Sequence, residues 1–476
     1  MELKRDLKPR HLRMIAIGGA IGTGLFVATG ASLSTAGPGG AIAAYLIIGT
    51  MVYFVMTSLG EMATHMPIAG SFETYASRFV DPAVGFALGW NYWFSWAITV
   101  ASELAASALL MKFWFPDVPS FYWSAIFLAI LFGLNYLSTK AYGESEYWFA
   151  GIKVGTIIIF LIVGTLMIVG LMGDHQVGFS NLTMGDAPFV GGWPALISIM
   201  MIAGFSFQGT ELVGIAAGES SDPKRNVPRA INTVFWRIMI FYVGAIVVVS
   251  CLIPYTDPLL LKTGLENISV SPFTLVFNRA GLTVAASVMN AVILTSVLSC
   301  GNSGLYAATR MLYAMAKEKK APKILNKVNH RGVPINALLV TTGVGMFAFL
   351  MSLFGDGVVY IWLLNASGLT GFIIWLGIAV SHYRFRKAWV LQGRPLSELK
   401  YKARLYPFGP IFAFILCTCV ILGQALPFVS GGDISWGGLL ATFIGLLIFF
   451  GCWPIYKIVK KTKVVKLRDC NLEEIK

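Results

Sequence analysis

Charged side chains are scarce in this sequence, and their scarcity excludes an ordinary soluble domain. Only 12% of the 476 residues are Asp, Glu, Lys or Arg, whereas 56% are hydrophobic and the mean hydropathy is +0.72. Soluble globular domains carry about 25% charged residues. The composition therefore predicts an integral membrane protein.

Residues that build metal sites and active sites are also few and scattered. The six cysteines have no paired spacing and are interpreted as packing residues. The five histidines lie in loops or at the ends of apolar segments, too far apart for a metal cluster. The glycines near residue 20 do not follow a strand, as a dinucleotide or phosphate-binding motif requires. We therefore expect no catalysis, no cofactor and no metal.

Long apolar segments recur along the whole chain. The N-terminus is basic and leads directly into the first of them, so we expect no cleaved signal peptide. Hydropathy predicts twelve membrane spans, approximately at residues 13–34, 38–61, 83–111, 120–139, 147–172, 193–217, 231–254, 282–309, 334–353, 357–381, 408–427 and 435–456.

Basic residues outnumber acidic ones by 36 to 23, and their distribution follows the predicted spans. They cluster in residues 1–12, 224–229, 317–331, 384–404 and 457–476, whereas the 173–192 loop has no Lys or Arg. This is the positive-inside pattern, which places both termini in the cytoplasm and explains the net charge without a nucleic-acid partner. We expect the basic stretch 310–334 to contact lipid headgroups.

Four glycines, at positions 18, 19, 22 and 24, interrupt the first span. Glycine costs roughly 1 kcal/mol in a helix interior relative to alanine and lets the backbone leave helical geometry. Unwound backbone in the membrane is tolerated only where it faces protein or a water-filled cavity. The segment is therefore either a binding site made of backbone groups or a small-residue surface for close helix packing.

A second interruption, at residues 204–211, divides the sixth span with two glycines, a glutamine and a carboxylate. Two interrupted segments in corresponding positions indicate two five-span halves of inverted topology, with substrate bound between them near mid-membrane. We assign the halves to residues 13–172 and 193–381, with two additional helices at 408–456.

Several polar side chains fall inside the spans. Tyr92, Trp96, Thr99 and Glu103 share one face of the third span, and Lys153 lies in the fifth. The aromatic residues either pack against a neighbouring helix or line a cavity, and Lys153 either snorkels to the interface or points inward. We place only Glu103 and Glu211 as acidic residues well inside the spans.

The two interruptions together favour an α-amino acid as ligand. The N–H groups and positive dipole end of a half-helix suit a carboxylate, and the carbonyls of the other interruption suit an ammonium group. Either Glu103 or Glu211 would meet a basic substrate side chain. Glu211 and Lys153 are also candidates for proton coupling, because titratable groups inside membranes often form proton relays.

Four segments together resemble the amino acid permeases of the amino acid-polyamine-organocation superfamily, and the similarity covers almost the whole chain. They are GGAIGTGLF at 18–26, GFSFQGTEL at 204–212, the loop 219–230, and the stretch from RMLY at 310 to RGVP at 331. The segments LGWNYW at 88–93, ISVSPFT at 268–274, WLLN at 362–365 and SHYRFR at 381–386 are most similar to the lysine-transporting bacterial members.

This resemblance implies an all-α, LeuT-type fold of twelve helices, with a five-plus-five inverted repeat and broken helices 1 and 6. It implies proton-driven import of L-lysine across a bacterial inner membrane by alternating access. A cationic amino acid exchanger and a lysine-binding sensor without flux are the alternatives, and the oligomeric state stays open.

The resemblance also implies roles for individual residues. The α-carboxylate would meet the backbone of residues 21–24, and the α-amine would meet carbonyls near Ala20 and Phe205, with Phe205 as a gate. Lys153 matches a lysine whose ammonium replaces a sodium ion in proton-coupled relatives. With the residues above, the predicted binding set is Ala20, Ile21, Gly22, Thr23, Gly24, Tyr92, Trp96, Glu103, Phe205, Ser206 and Glu211.

Overall fold

The computed structural model describes residues 7–18, 21–68, 70–172, 178–258, 260, 271–426 and 436–473. In these ranges the regular structure is helical, without a β-strand. A helix satisfies its backbone hydrogen bonds along its own length, which is what an apolar membrane interior requires. Ala20, one of the predicted binding residues, lies outside the described residues.

The α-helices are, in chain order, α1 (Pro9–Gly18), α2 (Thr23–Phe26), α3 (Ala28–His65), α4 (Ser71–Phe79), α5 (Pro82–Met111), α6 (Ser120–Leu137), α7 (Thr139–Ile168), α8 (Gly192–Phe207), α9 (Leu212–Ala216), α10 (Pro223–Arg237), α11 (Ala245–Leu252), α12 (Pro272–Arg279), α13 (Thr283–Lys317), α14 (Ile335–Gly345), α15 (Met351–Phe354), α16 (Asp356–Leu391), α17 (Phe408–Gly423) and α18 (Trp436–Lys460). A π-helical stretch, Ile238–Gly244, joins α10 to α11. Short 3₁₀ turns lie at Ser180–Leu182, Ala217–Glu219, Lys323–Asn326, Met346–Leu350, Leu396–Glu398 and Leu467–Asp469.

Ten helical segments in the described part of the chain are long and apolar enough to cross a membrane. α17 is a shorter apolar helix of 16 residues. α3 is kinked at Gly37, which has a φ of 72° and is followed by Pro38. The helix includes the end of the first predicted span and the whole of the second. The chain is therefore a multi-pass membrane protein.

Both predicted helix interruptions are present. α1 ends at Gly18 and α2 begins at Thr23, while α8 ends at Phe207 and α9 begins at Leu212. α1 contacts α9, and α2 contacts α8. The two broken helices therefore run side by side in opposite directions, and their interruptions meet.

α5 is the most enclosed of the long helices. Its most apolar stretch is 94% buried, compared with 17% for Thr442–Lys460 in α18. It packs against α13, α16 and α18, while α7 packs against α1 and α13. The side chains of α5 therefore face other helices, whereas much of α18 faces outward.

Several helices extend beyond the approximate predicted spans, and two of them illustrate why. The fifth span was placed at 147–172, but α7 begins at Thr139, where the Ser138 side chain caps it by accepting a bond from Ala141 N at 3.0 Å. The eighth was placed at 282–309, but α13 continues to Lys317. Hydropathy falls at charged residues, whereas a capped helix continues through them.

A buried ion pair joins α3 to α16 beneath the loop that follows α16. Arg386 Nε donates to Glu61 Oε1 at 2.5 Å, and Arg386 Nη2 donates to Glu61 Oε2. The main-chain N–H of Ala403 also donates to Glu61 Oε2 at 2.7 Å, and His382 Nε2 lies 3.4 Å from Oε1. One carboxylate therefore holds two helices and a loop together.

The segment after α18 lies across the ends of α3, α5 and α16. Its main-chain carbonyls accept most of the bonds: His65 donates to the carbonyl of Leu472 at 2.8 Å, and Gln392 donates to that of Cys470 at 2.9 Å. Asp81, before α5, accepts a bond from Lys457 at 2.6 Å. Burial acts to raise the pKa of Asp81, but the bonds from Lys457 and other donors hold that pKa below its usual value.

We expect Arg386→Ala to destabilise the protein by about 3–5 kcal/mol, because it leaves the Glu61 carboxylate buried without its cation. Thermal unfolding of the purified protein in detergent measures the effect. Lys387→Ala removes an exposed cation from the adjacent position and serves as the control. Equal unfolding temperatures for the two variants would contradict the role assigned to the ion pair.

Candidate substrate site

A small cavity lies where α2, α5, α8 and α13 meet. Its volume is about 10 Å³, which is room for about one water molecule. The residues that line it are Gly22, Gly24, Trp96, Thr99, Glu103, Phe205, Gln208 and Cys300. Five residues of the predicted binding set thus converge on one point, and an amino acid fits there only after the lining moves.

The backbone changes direction at the first interruption. Gly22 has φ −146° and ψ −144°, outside helical geometry, and helical bonding resumes when Phe26 N donates to Gly22 O at 3.2 Å. The first N–H groups of any helix have no partner within it. At α2 these groups belong to the segment that forms the cavity wall, which suits an anionic group such as a carboxylate.

The glycines of this segment are also sites of close packing. A Cβ on Gly24 would lie 2.5 Å from the Cα of Ser206, and one on Gly22 would lie 2.9 Å from the Cβ of Cys300. Ser206 in turn shares a hydrogen bond of 2.9 Å with the Tyr45 hydroxyl. The two readings of the glycines therefore coexist, because the backbone that packs closely also lines the cavity.

Glu103 projects from α5 to the cavity and is buried. The Thr23 hydroxyl donates to its Oε1 at 2.9 Å. Its Oε2 is buried and has no hydrogen-bond partner within the described residues. Buried carboxylate oxygens are normally bonded, so this atom is a candidate acceptor for an ammonium group.

Lys153 points inward and is fully buried, which excludes snorkelling to the interface. Its Nζ donates to the carbonyl oxygen of Gly18, the last residue of α1, at 3.0 Å. A cation at a helix C-terminus satisfies a free carbonyl and complements the helix dipole. Lys153 therefore stabilises the end of α1 beside the first interruption.

Glu211 serves the second interruption itself. Gly209, with φ 97°, donates its N–H to both carboxylate oxygens of Glu211 at 3.1 Å, and Trp375 Nε1 lies 3.4 Å from Oε2. The Gln208 side chain donates to the carbonyl of Gly368 at 2.7 Å. Glu211 thus stabilises the unwound backbone and does not line the cavity.

Other predicted residues lie beside the cavity without lining it. The Tyr92 ring packs against Phe72, with 4.7 Å between ring centroids, and its centroid lies 6.2 Å from that of Trp96. The buried Tyr92 hydroxyl has no hydrogen-bond partner in the described part of the chain. Ile21, in the first interruption, and Ser206, in α8, are both buried.

Three lining residues are absent from the predicted binding set, namely Thr99, Gln208 and Cys300. Thr99 shares the helix face of Trp96 and Glu103, and Gln208 belongs to the second interruption, so their signals were present in the sequence. Cys300 lies in a run of polar residues on α13, and the neighbouring sequence does not distinguish a cysteine that lines a cavity from one that packs in the core.

Glu146 is a buried carboxylate that the sequence analysis missed. It accepts bonds from Ser299 Oγ and Asn302 Nδ2, both at 2.8 Å, and it interacts electrostatically with Lys153 on the same helix. The prediction that Glu103 and Glu211 are the only acidic residues well inside the spans therefore omitted Glu146, which is buried on the candidate span Lys140–Ile168. The available signal was the seven-residue spacing to Lys153, which is about two helical turns.

Buried polar contacts continue from Glu146 along the interface of α7 and α13. One turn earlier on α7, the Tyr142 ring stacks on Tyr306 with 4.0 Å between centroids. The Tyr306 hydroxyl donates to Glu219 at 2.8 Å, and Arg310 Nε donates to the same carboxylate at 2.9 Å. This row connects the surroundings of Lys153 to the end of the second broken helix.

Comparison with known proteins places this geometry in a family. The family model described as amino acid permease matches residues 11–469. The chain therefore belongs to the amino acid permease family, whose members are transporters and not enzymes.

Individual relatives agree with this assignment. The chain is 58% identical to the lysine-specific permease LysP of Escherichia coli (strain K12), covering 99% of this chain and 97% of that protein. It is 51% identical to LysP of Lactococcus lactis subsp. cremoris (strain MG1363), covering 100% and 94%. It is 49% identical to the histidine permease HisP of the same Lactococcus strain, covering 100% and 99%.

We expect Gly24→Ala to lower uptake of every amino acid that the protein carries by a similar factor, because the new methyl group displaces Ser206 from the shared backbone. Initial uptake rates for several amino acids measure this. Gly133→Ala is the control, since a Cβ on Gly133 meets nothing within 4 Å. A Gly24→Ala protein that only changed its preference among substrates would contradict the expectation.

We expect Glu146→Gln to abolish most uptake, whereas Glu144→Gln, two residues earlier at the surface, retains it. The substitution removes the negative charge near Lys153 and replaces an acceptor oxygen by an NH₂ that faces Ser299 or Asn302. Uptake per amount of protein in membranes is the measurement. Normal uptake by Glu146→Gln would show that transport does not require the negative charge of Glu146.

Proposed function

We propose that the protein imports L-lysine across a bacterial inner membrane by proton-coupled alternating access. The observation that carries the proposal is the buried ammonium of Lys153 on the Gly18 carbonyl, beside a cavity bounded by backbone and Glu103. The proposed substrate agrees with the names of the two lysine-specific relatives.

The proposed fold has twelve spans arranged as a five-plus-five inverted repeat with two further helices. The opposite directions of the two broken helices support the inversion. The basic residues support an orientation with both termini in the cytoplasm. On this orientation, the cytoplasmic face carries Leu7, His65, Ser220 and the loop after α16.

In this proposal, different groups of the protein bind the backbone part of the amino acid and its side chain. The backbone N–H groups of residues 21–24 receive the α-carboxylate, and carbonyls near Ala20 and Phe205 receive the α-amine. Glu103 Oε2 receives the side-chain ammonium of lysine, because it is a buried acceptor without a partner among the described residues. Glu211 is less suited, since both of its oxygens already accept the N–H of Gly209.

Coupling follows from the bond between Lys153 and Gly18. Protonated Lys153 donates to the Gly18 carbonyl and holds the end of α1 in place. When Lys153 gives up its proton, that carbonyl loses its charged partner and α1 is free to move. Glu146 and Glu219, which follow along the α7–α13 interface, are the groups that we propose receive the proton on the way to the cytoplasm.

Entry and release require motion in the lining, because the cavity of about 10 Å³ is far smaller than lysine. Phe205 is the proposed gate, since its side chain borders the cavity on α8 next to the second interruption. Rotation of this ring opens the cavity without breaking a hydrogen bond.

The test is uptake of radiolabelled lysine into proteoliposomes with an imposed proton gradient. We expect uptake to collapse with a protonophore, to persist without sodium, and to disappear in Lys153→Ala. Lys140→Ala, which removes an exposed lysine from the same helix, is the matched control. Uptake that follows a sodium gradient would refute proton coupling.

Competition by a panel of amino acids tests the substrate. We expect unlabelled lysine to compete best and Glu103→Gln to weaken lysine more than neutral amino acids. Histidine and arginine belong in the panel, because a histidine permease is 49% identical to this chain. Stronger competition by either would overturn the lysine assignment, uptake only into preloaded vesicles would indicate exchange, and binding without flux would indicate a sensor.

A further inference from the structure

A second, larger cavity lies away from the substrate site. Its volume is about 580 Å³, and it opens between α3, α10 and the loop after α16. Its lining consists of Tyr53, Thr57, Asn232, Phe235, Trp236, Lys400, Tyr401, Lys402 and Arg404. None of these residues takes part in the transport mechanism proposed above.

Three cations form one side of this cavity. Lys400, Lys402 and Arg404 are exposed, while Leu399 and Ala403 between and beside them are buried. All three side chains border the cavity. No carboxylate lines the cavity, and none of the three cations makes an ion pair with a described residue.

The backbone beneath these cations is held in place from inside. Ala403 N donates to Glu61 at 2.7 Å, and Arg386 donates to the Ala403 carbonyl at 3.5 Å. The Tyr401 ring packs on Gly60, where a Cβ would lie 3.2 Å from its Cε1. The cationic side of the cavity is therefore preorganised by the Glu61–Arg386 pair.

Another part of the lining is aromatic and exposed. Phe235 and Trp236 are 41% and 64% exposed, although they lie in a helical segment apolar enough to cross the membrane. Tyr53 packs edge-on against Phe235, with 5.7 Å between ring centroids. Aromatic side chains of this kind concentrate where the hydrocarbon meets the headgroups.

We propose that this cavity binds an anionic phospholipid of the cytoplasmic leaflet. Its headgroup phosphate lies against Lys400, Lys402 and Arg404, and its acyl chains run along Phe235 and Trp236. Uncompensated cations at headgroup depth beside an exposed aromatic lining match both parts of such a molecule. The assignment to the cytoplasmic leaflet rests on the proposed orientation, whereas the binding itself requires neither lysine nor protons.

The test measures lipid binding to the purified full-length protein, with phosphatidylglycerol and phosphatidylcholine as probes. Native mass spectrometry or a fluorescent-lipid titration gives the dissociation constants. We expect phosphatidylglycerol to bind more tightly than phosphatidylcholine. The triple variant Lys400→Gln, Lys402→Gln, Arg404→Gln should bind phosphatidylglycerol about 100-fold more weakly, because each basic residue near an anionic headgroup contributes about fivefold.

Two further variants make the result specific. Lys461→Gln, Lys463→Gln, Lys466→Gln removes three exposed cations from the segment after α18 and should leave binding unchanged. The single variant Lys402→Gln should weaken binding about fivefold and covers the case in which the triple variant fails to fold.

Three outcomes would overturn the proposal. The first is equal affinity for the two lipids, and the second is an equal loss of phosphatidylglycerol affinity in both triple variants. The third is displacement of phosphatidylglycerol by millimolar inorganic phosphate, which would identify a site for the free anion. Binding is measured without transport, so a protein that binds phosphatidylglycerol as expected but does not carry lysine leaves this proposal standing and refutes only the proposed function.

Discussion

The structure depends on one constraint: backbone groups released by two helix interruptions need partners in a place without bulk water. At the end of α1, the Gly18 carbonyl is bonded by Lys153. At the second interruption, the Gly209 N–H is bonded by Glu211. Two ionisable side chains deep in the bundle, Lys153 and Glu211, therefore bond to backbone where a helix stops.

This constraint also separates two kinds of specificity. Main-chain groups at the interruptions present the same chemistry whatever the surrounding side chains are, so they suit the part that all amino acids share. Glu103, Trp96 and Thr99 project from α5, a helix without an interruption, and can change without disturbing that backbone. Under the proposed recognition, substitutions on α5 would change the preferred substrate while the broken helices stay the same.

Much of this arrangement could be predicted from the sequence, because glycines inside apolar runs and a polar stripe at helical spacing are local signals. The interruptions at 18–24 and 204–211 and the face from Trp96 to Glu103 were found in this way. Glu146 was missed because the helix start at Thr139 depends on a Ser138 cap that hydropathy does not detect. The hydrogen bond from Gly209 N–H to the Glu211 carboxylate was also not predictable, since it depends on the φ of 97° at that glycine.

The segment after α18 is held against the helices by bonds that depend little on its own side chains. Its partners, Gln392 and His65, bond to the main-chain carbonyls of Cys470 and Leu472 rather than to side chains. Any residue supplies a carbonyl, so substitutions there remove few bonds, whereas an insertion or deletion shifts every carbonyl out of reach. Over evolutionary time such a segment should conserve its length more strictly than its composition.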